Sequence, residues 1–162
     1  MKNLKYLFAI AGASILYGCS QQAPKETATA IPAGLKAGKQ SYLAIFVKDS
    51  AKLDLDIDQY GKVTGKLLIK YGELKPDATE LIVNTGDVSK GEFKGDTLVA
   101  DYTFTSGKDK TLYTNPLALL HKGDTLIMGS GRIMNYLGRT YFDPQTGVQY
   151  QKARFRFVPV KK

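Results

Sequence analysis

The chain has 162 residues with one cysteine, one histidine and no tryptophan, and carries a formal charge of +8 at neutral pH. A lone cysteine excludes an internal disulfide framework and any multi-cysteine metal site, so stability must come from an apolar core. The length suits a single domain, and the basic balance favours anionic partners.

Lys2 and Lys5 precede an apolar run from Tyr6 to Gly18. A short basic region followed by a short apolar stretch is the layout of a secretion signal. Thirteen residues are too few for a spanning helix, which needs about 20. The run ends in Leu16-Tyr17-Gly18-Cys19, which resembles the lipobox of bacterial lipoproteins: an aliphatic residue, a tolerant position, a small residue, then cysteine. The resemblance implies cleavage after Gly18, a diacylglycerol thioether on Cys19, and acylation of the new amino terminus by a chain such as palmitate. Several acyl chains anchor a protein stably, because each buried CH₂ contributes about 0.8 kcal/mol. Once Lys2 and Lys5 leave with the signal, residues 19–162 carry +6. Export removes nucleic acid as a partner and favours envelope phosphates or acidic glycans.

Residues 19–39 are the lipidated Cys19 and a tether rich in Ala, Thr, Gln, Pro and Gly, with no sustained periodicity. From Gln40 the pattern changes. Apolar residues recur at every second position and turn signals every 8 to 12 residues, so residues 40–162 read as one β-domain. In Leu53–Ile69, a loop Gln59-Tyr60-Gly61 with Gly61 left-handed sets Asp54 opposite Lys66, Asp56 opposite Thr64 and Asp58 opposite Lys62. The same register sets Leu53 opposite Leu67 and Ile57 opposite Val63, satisfying both faces at once. Asp96–Thr105 places Leu98, Ala100, Tyr102 and Phe104 on one face. Lys94-Gly95-Asp96-Thr97-Leu98 recurs as Lys122-Gly123-Asp124-Thr125-Leu126, two turns of one meander. Asp143-Pro144-Gln145-Thr146-Gly147 is a further turn, feeding a last strand from Val148 to Val158. Eight to ten strands and no helix beyond the signal predict an all-β antiparallel meander. It closes as an up-and-down, lipocalin-like barrel or forms a strongly curled sheet.

Catalytic and metal signatures are sparse. Asp54, Asp56 and Asp58 mimic the opening of a calcium loop, but Gln59 and Gly65 stand where its glycine and glutamate belong. A charge ladder with lysines is expected instead, and no metal or cofactor. His121, the sole histidine, is expected at a solvated turn, which leaves neither a zinc site nor a catalytic triad. An enzyme is therefore not expected. Arg132, Asn135, Tyr136, Arg139 and Tyr141 gather cations and aromatics in one stretch; facing a barrel mouth, they could bind an anion or stack a sugar. Phe155 and Phe157 are expected inward and Arg154 and Arg156 outward.

Val63-Thr64-Gly65-Lys66-Leu67 and Gly91-Glu92-Phe93-Lys94-Gly95-Asp96-Thr97-Leu98-Val99-Ala100-Asp101-Tyr102-Thr103-Phe104 resemble strands of a family of small uncharacterised lipoproteins of Bacteroidetes-type bacteria. That resemblance spans about residues 42–143 and implies an envelope lipoprotein without implying an activity. Ser20 is not the aspartate that retains lipoproteins at the inner membrane, and the tether has no acidic run. An outer-membrane anchor facing the periplasm is expected. Two roles remain open. One is a binding module holding a small apolar or amphiphilic ligand near Tyr102 and Phe104, with Arg132, Tyr136 and Arg139 as further contacts. The other is a packed interaction lipoprotein that meets an envelope protein.

Overall fold

The computed structural model describes residues 29–72, 82–106 and 111–161. Gly18, Cys19 and the signal lie outside these residues. The described residues form ten strands: β1 (Gly38–Phe46), β2 (Asp49–Ile57), β3 (Lys62–Tyr71), β4 (Ile82–Lys94), β5 (Thr97–Thr105), β6 (Leu112–Lys122), β7 (Thr125–Met128), β8 (Ile133–Tyr136), β9 (Arg139–Phe142) and β10 (Arg156–Pro159). Eight close into an antiparallel barrel in the order β1-β10-β7-β6-β5-β4-β3-β2, and β8 and β9 form a separate hairpin. The path from β1 to β7 is a plain up-and-down meander. The hairpin is an excursion before β10 returns to shut the barrel. There is no helix among the described residues.

Strict alternation builds the wall. Along β2, Ala51, Leu53, Leu55 and Ile57 point inward while Lys52 and Asp56 face water, and β5 does the same with Leu98, Ala100, Tyr102 and Phe104. The β2–β3 register is the expected one, with Asp54 beside Lys66, Asp56 beside Thr64 and Leu53 beside Leu67. Gly61 turns the corner at φ 77°. The charges pair differently from the simple ladder. Asp54 takes Lys52 on its own strand at 2.9 Å and the Ser41 hydroxyl at 2.7 Å, and both hold its carboxyl below the usual range. Lys66 instead reaches across to Asp87 on β4. Gly95 and Gly123 open the two repeated turns at φ 59° and 67°, the first corner of a two-residue II′ hairpin, which fixes Lys94 opposite Thr97 and Lys122 opposite Thr125.

The interior is filled. Leu53, Leu67, Leu98, Leu119, Leu126 and Phe157 retain no accessible surface. A hollow able to admit a ligand would leave its wall touchable by water from within. Eight strands enclose a space that side chains alone can fill, and here they do. All eight strands of the closed barrel and the buried core cluster come from the described residues, so barrel closure draws on no residue before Gly38.

Three expectations change on contact with the structure. The last strand is short: only Arg156–Pro159 joins the barrel, while Val148 and Tyr150 lie against Gly129 just after β7, with a bridge from Ser130 to Gln149 and Ala153 buried. Gly129 permits this, since a Cβ there would sit 2.2 Å from Val148. Residues 29–37, expected in the tether, belong to the domain: Thr29 N–H donates to the Tyr60 carbonyl, and Ile31 and Leu35 pack on the core. His121 is not solvated. It continues the inward parity of Leu117 and Leu119, is only 7% exposed, and lies close under Gly34 of that N-terminal segment.

Candidate functional site

Tyr102 and Phe104 sit inside the barrel, stacked with ring centroids 4.7 Å apart, and Tyr113 continues the stack from Phe104 at 5.7 Å. The Tyr102 hydroxyl donates to the Leu67 carbonyl at 3.0 Å and lies 3.3 Å from that of Asn84, tying β5 to β3 and β4. Burial raises its phenol well above the ordinary tyrosine range. Tyr102 and Phe104 pack into the core and line none of the surface clefts, while Tyr113, 41% exposed, is the outer end of the stack.

The cationic stretch lies elsewhere. It does not face a barrel mouth: Arg132, Tyr136 and Arg139 belong to the β8–β9 excursion on the outside. Leu137 and Gly138 form the hairpin tip, both at positive φ (50° and 73°), and pair Tyr136 with Arg139. The Thr140 hydroxyl donates to the Thr114 carbonyl of β6 at 2.6 Å, and the Asp143 amide donates to the Arg132 carbonyl. The first bond ties the hairpin to the wall, and the second closes the hairpin at its base.

Between hairpin and wall runs a cleft of about 820 Å³. The hairpin contributes Asn135, Arg139 and Tyr141; β6 contributes Tyr113, Thr114 and Asn115; β4 and β5 contribute Lys90, Glu92, Lys94 and Asp101. Arg132 faces a second cleft of about 300 Å³, where it approaches the buried Asp143 at 3.9 Å. Tyr136 is 65% exposed and lines neither. So Arg139, Asn135 and Tyr141 border one cleft, Asn135 from the hairpin face that carries Thr140 and Arg139 and Tyr141 from the other; Arg132 stands beside them, and Tyr102 and Phe104 belong to the barrel core.

Lys90 reaches the cleft through strain. Between Ser89 and Glu92, β4 carries one residue more than its partner β5, a bulge that leaves Lys90 at φ 52°. The side chain then meets Asp101 at 2.9 Å, and Lys94 meets Glu92 at 3.5 Å. Among the described residues no carboxylate pairs with Arg139. The β4 and β5 wall is the part that sequence reasoning missed. Its one signal was Lys90-Gly91 inside an otherwise regular strand, a sign of a bulge. No cluster of three His, Cys, Asp or Glu among the described residues could hold a metal ion.

No family model matches this chain, and neither a curated protein nor a solved structure is similar to it.

Proposed function

We propose that this is a lipid-anchored interaction protein of the bacterial envelope, in which a solid barrel is the scaffold and the outer surface makes the contacts. The observation that carries this reading is the filled interior, which leaves an amphiphilic ligand nowhere to go inside. Leu43 on β1 lies beside Val158 on β10, with Ile45 further along the same strand, and all three apolar side chains are exposed on the outer face. A patch of that kind fits an envelope protein partner. The lipobox-like Leu16-Tyr17-Gly18-Cys19 supports the anchor, and Ser20 supports an outer-membrane address facing the periplasm.

Expression of the full chain in a lipoprotein-processing host fed labelled palmitate tests the anchor. Label should enter the wild type and be absent from Cys19→Ala, with the wild type in the outer-membrane fraction. An unlabelled, soluble wild-type protein would refute the reading.

A further inference from the structure

The cleft between the β8–β9 hairpin and the wall alternates donors with acceptors. Lys90, Lys94 and Arg139 donate, Glu92 and Asp101 accept, and the Asn135 amide does both. A ligand rich only in anions would meet two carboxylates. An apolar one would desolvate these groups and return no hydrogen bond to them. A hydroxyl offers one donor and two acceptor positions, so a polyhydroxylated ligand is the class that satisfies such a lining throughout.

Two further features narrow the class. Tyr141 borders the cleft and offers an aromatic ring to the C–H face of a sugar. Arg139, exposed on the hairpin and unmatched by any described carboxylate, provides one planar fork for a carboxylate, while the other cations in the cleft already hold acids. Lys90 is held in a backbone conformation that side chains rarely adopt, and local strain of this kind concentrates at binding sites. The volume, about 820 Å³, holds several sugar rings and lies at the upper end of ordinary ligand sites.

The geometry points to this cleft as a binding site for an oligosaccharide that carries an acidic sugar, with Arg139 on the carboxylate and Asn135 and the lysine–acid pairs on the hydroxyls. The inference rests on the reading that recognition happens on the outer surface. It does not depend on the lipid.

The test is titration of the chain starting at Ser20 with trigalacturonate, trimannuronate and 3′-sialyllactose, against neutral maltotriose and inorganic phosphate, followed by amide NMR and calorimetry. At least one acidic trisaccharide should shift the amides of Asn115, Asn135, Arg139 and Tyr141 and bind more tightly than maltotriose. Arg139→Ala should weaken that binding about tenfold or more, because a charge-assisted bond is lost, with the remaining spectrum unchanged. Asn135→Ala, also on the exposed hairpin, should weaken it several-fold. The inference fails if no acidic sugar perturbs the cleft at millimolar concentration, if maltotriose binds equally, or if phosphate alone reproduces the shifts. Binding indifferent to Arg139→Ala would overturn it too. Failure here with a bare chain mass leaves the outer-surface reading intact, whereas a co-purifying interior ligand removes both.

Discussion

Tyr102 shows how a residue picked for its chemistry can belong to the architecture. Its hydroxyl satisfies carbonyls on β3 and β4 from inside the barrel. Tyr102→Phe should therefore cost about 1–2 kcal/mol in a urea melt, the loss of a buried hydrogen bond that leaves its acceptors unmatched. Burial also raises the phenols of Tyr102, Tyr71 and Tyr42. The folded chain then keeps these protons at pH values where the unfolded chain releases them. Stability should be level below about pH 10, the ordinary tyrosine value, and fall as pH rises beyond it. Thermal melts between pH 8 and 12 should show that fall, with Tyr102→Phe making it shallower. Reading single residues from sequence failed most clearly at His121. The polar Lys122-Gly123-Asp124 turn beside it argued for water, yet the parity of Leu117 and Leu119 already pointed it inward. The cover above it comes from a polar, aperiodic segment that local pattern does not connect to β6.

At the scale of elements, the hairpins were legible because turn chemistry and alternation agree. Gly95-Asp96 and Gly123-Asp124 both permit one register only, and Leu53–Ile69 had a single solution for both faces. Closure was less legible. β10 contributes four residues, fewer than the alternation from Val148 promises, because the segment from Val148 to Tyr150 bridges Ser130 outside the barrel strands instead. This short strand must still hold the barrel shut, and Phe157 is its buried anchor. Phe157→Ala should cost about 3–5 kcal/mol in denaturant unfolding, through lost burial and the cavity left behind. The hairpin of β8 and β9 behaves differently, since it stands outside the barrel. Thr140→Val removes its hydrogen bond to Thr114 while keeping the side-chain shape. Hydrogen exchange should then quicken across 133–142, with the thermal midpoint moving only by a few degrees, the shift expected for about 1 kcal/mol or less. Loss of protection throughout the barrel would show that the hairpin is integral to it.

For the whole molecule, the sequence supports a closed β-barrel through its strand number and sequential turns, but it could not reveal whether the barrel is hollow. That depends on how side-chain volumes from all eight strands add up in three dimensions, and no local pattern records the sum. Nor could it show that Lys90 and Asp101 would face Arg139 across a cleft, because the excursion between β7 and β10 has no local reason to fold back over β6. The division of labour we propose is a packed core that stabilises and an outer surface that recognises. Native mass spectrometry of the chain starting at Ser20, set against its denatured mass, tests this most directly. A solid barrel predicts equal masses, with no small molecule released by organic solvent. A reproducible extra mass that disappears on denaturation, and whose loss lowers the melting temperature, would place a ligand inside and contradict the account.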